Sequence, residues 1–260
     1  NWSSNPLPPQ AGDDVVITLA GTYVVTLDTD AGINSLALGS GGNAQLVVTN
    51  SRVLTLAAAS SVNAGGVLTV NGGTLTGAGN LTVAGTLNLN AGLVSGSGAL
   101  TVDGPLVIDS SSSKRLVGRT LVANGGITWK GSGQLNLESG AVLRNTGTFD
   151  MQFPAFLGIF GTQTTELFDN DGTLIKSGGG GVSTIDVPID NDGTVQANNG
   201  TLSFTRGGTW TNQIGATGGV FRFGSGTHSL SGLAIAGSGR IEITGTANTD
   251  GPVTVAPPAT

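Results

Sequence analysis

The sequence contains no cysteine, one methionine, one tyrosine and one histidine among its 260 residues. Without cysteine, disulfide bonds and thiolate metal sites are excluded, so the fold has to depend on repeated noncovalent contacts. Lysine and arginine together number 10 and the net charge is −6, which argues against nucleic acid or anionic lipid as a partner. No stretch is apolar over 18 residues, so we expect no membrane insertion.

What the sequence does contain is a motif that recurs through residues 68–106: leucine, a small polar residue, an apolar residue, then glycine. Three successive steps sum to about 19 residues, and each step has the period-two alternation of a short strand bounded by corner-forming residues. This spacing predicts an all-β fold, a right-handed parallel β-helix with three strands per rung and about twelve or thirteen rungs in one elongated domain. The leading residues, predicted to point inward, are Leu68, Leu75, Leu81, Leu87, Leu93, Leu100 and Leu106.

Changes in this rhythm divide the chain into five parts. These are an N-terminal cap with the first strands at 1–32, a short-rung β-helix at 33–108, a loop or transition at 109–120, a longer-rung β-helix at 121–250, and a proline-rich exit or linker at 251–260. We expect Trp2 to pack onto the open end of the core, because the first rung of a solenoid needs cover. The transition contains three cations that we expect on a solvated loop: Lys114, Arg115 and Arg119.

A second motif, Asn-x-Gly-Thr followed by an apolar residue, begins at Asn145, Asn170 and Asn191, and Asn212 follows at a similar spacing. An asparagine that returns at the same corner of successive rungs can hydrogen-bond to its copies above and below and satisfy the turn backbone. The motif therefore predicts a structural asparagine ladder at one corner of the coil.

Aspartates flank two of these corners, as Asp169 and Asp171 and, one rung later, Asp190 and Asp192. Four carboxylates stacked in this way would repel one another, and a bound calcium ion would relieve that repulsion while accepting their oxygens as ligands. The alternative is that Asp-Asn-Asp-Gly is simply a good turn sequence with its carboxylates in solvent.

Sugar cleavage on a β-helix needs two acids, or an acid and a cationic base, on one face. The motif order of polygalacturonase-type hydrolases is absent: Asn-Thr-Asp lies at 248–250, the pair Asp13 and Asp14 lies near the start, and His228 occurs in GTHSL. The four-aspartate cluster beside Lys176 is the remaining candidate for catalysis. We expect His228 at the surface or a corner and assign it no role.

Aromatic residues supply the other candidate contacts. The two tryptophans at strand-like positions are either core residues or outward platforms for sugar rings. The apolar stretch at 151–160 breaks the alternation, which indicates either a loop folded over a widened core or an exposed patch for a partner or a second copy. The candidate ligand or partner contacts are Trp129, Trp210, Phe153, Phe156 and Phe160.

The AGDDVVI opening, the GGTLTGAGNLTVAGTL rungs, the KRLVGRTL transition and the NTGTF, NDGTL and NDGTV corners together carry a family resemblance. The chain resembles the repetitive β-helical regions of large secreted or surface-displayed bacterial proteins, similar to filamentous-haemagglutinin and autotransporter passenger domains. The resemblance implies an extracellular stalk, adhesin or matrix module, without a catalytic site or cofactor, that contacts a glycan, a surface or a protein.

We therefore expect a non-catalytic extracellular structural or adhesive module. Two alternatives belong to other classes. One is a carbohydrate-active enzyme, which requires the aspartates to converge in a groove. The other is a self-assembling filament subunit, in which the end rungs or the 151–160 segment make the contact.

Overall fold

The structure, a computed structural model, describes residues 9–40, 42–161 and 165–255; Trp2 and the last five residues of the exit lie outside them. In these ranges the protein is all-β with no helix, and its parallel strands stack as a β-solenoid of about 11 turns. The predicted fold class is confirmed, with fewer turns than the twelve or thirteen expected, while the handedness stays a prediction. Within the same ranges no helix is long and apolar enough to cross a membrane.

Three faces of stacked parallel strands form the sides of the coil. Face 1 consists of Asp14–Ile17, Ser35–Leu38, Ser60–Val62, Leu81–Val83, Leu100–Val102, Thr120–Ala123, Val142–Asn145, Leu167–Asn170, Ile189–Asn191, Gly208–Trp210, Thr227–Leu230 and Thr246–Thr249. Face 2 includes Tyr23–Leu27, Ala44–Val48, Leu106–Ile108, Ile127–Trp129, Thr148–Met151, Thr173–Lys176, Thr194–Ala197, Gln213–Ala216, Ala234–Ala236 and Thr254–Val255. Face 3 includes Ala31–Ile33, Val53–Leu56, Lys114–Val117, Leu135–Glu138, Phe156–Ile159, Val182–Asp186, Thr201–Phe204, Val220–Phe223 and Arg240–Ile243. Two long strands, Val67–Thr76 and Thr86–Ser95, continue from face 2 into face 3.

The segments 109–120 and 151–160, whose sequences break the regular repeat, each contribute a strand to the coil. The 109–120 transition contains the strand Lys114–Val117, which pairs on both sides. The 151–160 stretch contains the strand Phe156–Ile159, also paired on both sides, with Leu157 fully buried. Its rung is long, with 25 residues separating Asn145 from Asn170, so the additional residues extend the circuit without interrupting the stack.

The interior is one continuous column of inward side chains. Most of the leading leucines lie in it, but Leu93 is only half-buried, and Val94 takes the inward position because the register shifts near Gly92. Toward the C-terminus aromatic residues replace the aliphatic ones. The rings pack edge-to-face or stacked, with centroids 4.7 Å apart for Phe204 and Trp210 and 5.2 Å apart for Phe204 and Phe221.

Stacking at strand spacing leaves no room for side chains at some corners. A Cβ atom added at Gly193 would lie 2.0 Å from the carbonyl oxygen of Gly172, whereas one added at Gly32 would meet nothing within 4 Å. We expect Gly193→Ala to lower the free energy of unfolding by ~1–3 kcal/mol, because the backbone of the rung below cannot yield cheaply. Gly32→Ala is the matched control, and equal denaturant midpoints for the two variants would contradict this packing.

Candidate functional site at the asparagine and aspartate corners

Asn145, Asn170 and Asn191 occupy equivalent inward positions at the end of face 1, and all three are fully buried. The amide of Asn145 donates to Oδ1 of Asn170 at 2.7 Å, and the amide of Asn170 donates to Oδ1 of Asn191 at 2.6 Å. The amide of Asn191 donates to the carbonyl of Gly193 at 3.0 Å. The three side chains form one hydrogen-bonded chain along the coil axis, which replaces apolar packing in that column.

Asn212 does not extend this ladder, so its predicted place is wrong. The inward position above Asn191 is taken by Trp210. Asn212 is exposed and donates to the carbonyl of Asp192 at 2.9 Å. The cause is the length of this rung. Strand partners here are 19 residues apart, as Asn191 and Trp210 are, whereas Asn170 and Asn191 are 21 apart. Asn212, 21 residues after Asn191, therefore lies beyond the end of the strand.

The ladder also fixes the corner backbone. The carbonyl of Asn145 accepts the amides of Asp171 and Gly172, both at 2.9 Å, and the carbonyl of Asn170 accepts that of Gly193 at 2.8 Å. Each asparagine thus hydrogen-bonds along the coil axis through its side chain, and its backbone carbonyl accepts an amide from the corner of the next rung. Few backbone groups of these turns are left unpaired.

The four aspartates lie outside this ladder, on the solvent side. Asp169 and Asp190 are adjacent across face 1. Arg144 from the preceding rung lies 3.4 Å from Asp169 (Nε to Oδ2) and 2.5 Å from Asp171 (Nη2 to Oδ2). One arginine therefore neutralises part of the negative charge that the sequence places there.

The second pair of aspartates has hydroxyl partners. Thr209 donates to Asp190, and Thr211 donates to Oδ1 of Asp192 at 2.5 Å. Burial raises the pKa of Asp169 and the neighbouring Asp171 raises it further, while Arg144 opposes both. Among the described residues, no three His, Cys, Asp or Glu side chains come together in a way that would hold a metal ion.

Lys176, the candidate base, lies inside the coil, whereas the four aspartates lie on its outer surface. Its side chain points inward from face 2 and is fully buried, with Nζ donating to the carbonyls of Gly178 at 2.6 Å and Gly179 at 2.8 Å. Burial lowers its pKa. The expected proximity of Lys176 to the aspartates on an outer surface is therefore wrong, and the structure does not assemble the catalytic group considered from the sequence.

The aromatic candidates separate into two groups. Trp129 and Trp210 are fully buried and cannot contact an external ligand. Phe153 and Phe160 remain 43% and 63% exposed. Phe156 is half-buried and its ring lies over Gly158, where an added Cβ would be 2.1 Å from Cε1 of the ring.

The exposed aromatic surface adjoins an ion pair on face 3. Arg115 makes a bidentate contact with Glu138, with Nε to Oε1 at 2.6 Å and Nη2 to Oε2 at 2.5 Å. Its guanidinium lies 5.7 Å from the ring centroid of Phe160, within the range of a cation–π contact. This Phe160 surface, formed by Phe160, Arg115 and Glu138, is the mixed aromatic and polar patch among the candidates.

The other two cations of the transition are not on a solvated loop. Lys114 is buried and donates to the carbonyl of Ser110 at 3.2 Å, and its burial lowers its pKa to about 8. Arg119 is also buried; it donates to the carbonyls of Gly79, Ser95 and Ala99 at 3.0–3.3 Å, and burial lowers its pKa. Both cations close corners from inside, a role that residue type alone does not signal.

His228 is fully buried, which corrects the expected surface position. It points inward from face 1 beside Trp210 and Phe223, whose ring centroids lie 6.1 Å and 5.0 Å away. Within the described ranges neither ring nitrogen makes a hydrogen bond of good geometry. Burial lowers the pKa of His228, and the nearby backbone of Ser225 and Gly224 only partly offsets this.

We expect the stability of the wild type to fall as the pH drops. The native state holds His228 neutral, while the unfolded chain binds a proton near its ordinary pKa of ~6.5, so stability is retained above that pH and lost below it. The limiting loss is ~1.4 kcal/mol per pH unit. Urea titrations between pH 7.5 and 5 should show this loss relative to His228→Leu, and parallel curves for the two proteins would contradict it.

We expect Asn170→Ala to destabilise the protein by ~2–6 kcal/mol, because it leaves the amide of Asn145 and Oδ1 of Asn191 buried without their ladder partner. Asn212→Ala removes an exposed asparagine with one hydrogen bond and should cost less than about 1.5 kcal/mol. Denaturant midpoints measure both, and equal effects would show that the ladder contributes nothing specific.

We expect calcium to leave the melting temperature unchanged, because Arg144, Thr209 and Thr211 already bind the carboxylates. Thermal unfolding with calcium and with chelator checks this. A calcium-dependent rise would support a metal site if it disappears when the four aspartates are changed to asparagine: Asp169, Asp171, Asp190 and Asp192.

Comparison with known proteins gives no further constraint: no protein-family model, no curated protein and no solved structure matches this chain. The structure is a repetitive β-solenoid of about 11 turns, and no family match accompanies the resemblance to filamentous-haemagglutinin or autotransporter passenger regions.

Proposed function

We propose that the protein is a non-catalytic structural and adhesive module of a bacterial surface or secreted protein. In this role the coil works as a rigid extracellular spacer whose outer faces contact a glycan, a surface or a protein. No cofactor takes part in this function.

The observation that carries the proposal is the uninterrupted stack. The parallel pairing of face 1 continues through all twelve of its strands, which at strand spacing gives a rod about 50 Å long. Over the described residues its core is one continuous cluster of buried side chains. Such a rod resists bending and local opening, which suits a spacer.

The Phe160 surface is the part of the exterior that best fits an adhesive contact. Phe160 presents its aromatic ring to solvent, and the Arg115–Glu138 ion pair beside it adds polar atoms without net charge. Aromatic rings beside hydrogen-bonding groups suit the apolar faces and hydroxyls of a neutral glycan. The carbohydrate-active alternative lacks comparable support, since its base, Lys176, is enclosed in the core.

The test is binding and turnover on the same panel of glycans. We expect the wild type to bind one or more neutral glycans, Phe160→Ala to lose at least tenfold in affinity, and Val24→Ala, an exposed residue on another face, to bind normally. We expect no release of reducing ends or unsaturated products. Absence of glycan binding would overturn the glycan contact assigned to the Phe160 surface, and turnover would overturn the non-catalytic part.

A further inference from the structure

A cavity of about 50 Å³ lies in the outer wall of face 2, away from the Phe160 surface. We call it the glutamine cavity, and it is lined by Gln196, Gln213, Gly215, Thr217, Ala236 and Gly237. One water molecule needs a space of ~10–15 Å³. The cavity is therefore large enough to take a small organic group of a ligand.

The floor of the cavity is a position where the wall lacks a side chain. Gly215 lies between Gln196 of the preceding rung and Ala236 of the following rung, and all three face outward. Gly215 is nevertheless buried, which places it at the bottom of a recess. A Cβ atom added at Gly215 would lie 2.8 Å from the carbonyl oxygen of Ala236, so a larger residue cannot fill the recess from this position without a backbone shift.

The walls of the cavity are neutral polar side chains. Gln196 comes from the preceding rung, Gln213 lies on the same strand as Gly215, and Thr217 follows that strand at the corner. Among the described residues, no side-chain hydrogen bond engages Gln196, Gln213 or Thr217. None of the residues that line the cavity is charged. Two carboxamides and one hydroxyl group are thus free to bind a ligand at one recess.

These groups select a ligand that is polar, uncharged and carries a small apolar end. A carboxamide offers both an N–H donor and a C=O acceptor. The floor, by contrast, offers only backbone atoms and the methyl group of Ala236. An acetamido group matches both parts, because its N–H and C=O can pair with carboxamides while its methyl group fits the floor. A charged group would lose solvation without gaining an opposite charge.

We propose that the glutamine cavity is a subsite for the acetamido group of a neutral N-acetylated sugar. The carboxamides of Gln196 and Gln213 bind its amide, Thr217 binds a neighbouring hydroxyl group, and Gly215 makes room for its methyl group. The inference rests on the proposed function only for the class of ligand, a neutral glycan, since the cavity shares no residue with the Phe160 surface.

The test is an NMR titration of the full chain with two trisaccharides, the β-linked trimers of N-acetylglucosamine and of glucose. They share their linkage and differ in the acetamido group. We expect the N-acetylated trimer to bind with a Kd on the order of 1 mM and to shift the side-chain amide signals of Gln196 and Gln213. The glucose trimer should bind more weakly by about tenfold, because it lacks the amide and the methyl group.

Two kinds of variant test the cavity itself. Gln196→Ala and Gln213→Ala each remove one carboxamide and should weaken binding of the N-acetylated trimer about tenfold. Ala236→Leu keeps both glutamines but fills the recess above Gly215, so it should abolish this binding. Thermal unfolding of each variant shows whether its fold is retained.

The matched control is Gln134→Ala, because Gln134 is an exposed glutamine outside the cavity. It should bind the N-acetylated trimer as the wild type does, and so should Phe160→Ala. Equal affinities for the two trimers, or no binding of the N-acetylated one, would overturn the proposal. Binding that Phe160→Ala loses and the glutamine variants keep would also overturn it, while supporting the function proposed for the Phe160 surface.

Discussion

The structure depends on satisfying the backbone carbonyls at the corners of the coil. Strand ladders pair the flat faces and backbone amides of the next rung pair many corner carbonyls, but at some corners carbonyl oxygens need a donor from inside the coil. Here interior side chains provide the missing donors at different corners. They include Asn191, Lys114, Trp129, Lys176 and Arg119. Without such donors these corners would hold buried unpaired carbonyls, each at a cost of ~1–3 kcal/mol.

This constraint explains why charged side chains are buried in an otherwise apolar core. Lys176 and Arg119 are cations with no acidic partner among the described residues, and their burial lowers the pKa of both. They are retained because several carbonyls surround each charged head, which is an alternative to an ion pair. His228 is the exception, because neither ring nitrogen makes a hydrogen bond of good geometry and the nearby backbone of Ser225 and Gly224 only partly offsets its burial. We therefore expect it to make the C-terminal rungs sensitive to acid.

The repeats in the sequence were enough to predict the parallel coil and the positions of Asn145, Asn170 and Asn191. Period and residue type agree there: a strand alternates, a corner follows, and asparagine returns at the same place. The same reasoning failed where one residue changes the register. Leu93 and Asn212 keep the expected spacing but lie off their columns, because the backbone shifts near Gly92 and because one rung is shorter. Lys114, Arg119 and Lys176 were expected outside, because the local sequence pattern does not reveal which corners require an interior donor.

The exterior of the coil is then the part left for a binding function. The aspartates are engaged by Arg144 and by threonine hydroxyls, the tryptophans are core residues, and Phe160 is an accessible aromatic residue beside Arg115. Such a contact depends on a wall stiff enough to hold side chains in fixed register over many turns, and that stiffness depends on the corners and their interior donors.

The most direct test of this account is the free energy of unfolding of Lys176→Met, measured beside Lys130→Met at an exposed position. If interior donors hold the corners, Lys176→Met should lose about 2–4 kcal/mol, because the carbonyls of Gly178 and Gly179 lose their donor, while Lys130→Met changes little. If Lys176→Met is as stable as the wild type or more so, as replacing a buried charge by an apolar side chain often is, the central claim is wrong.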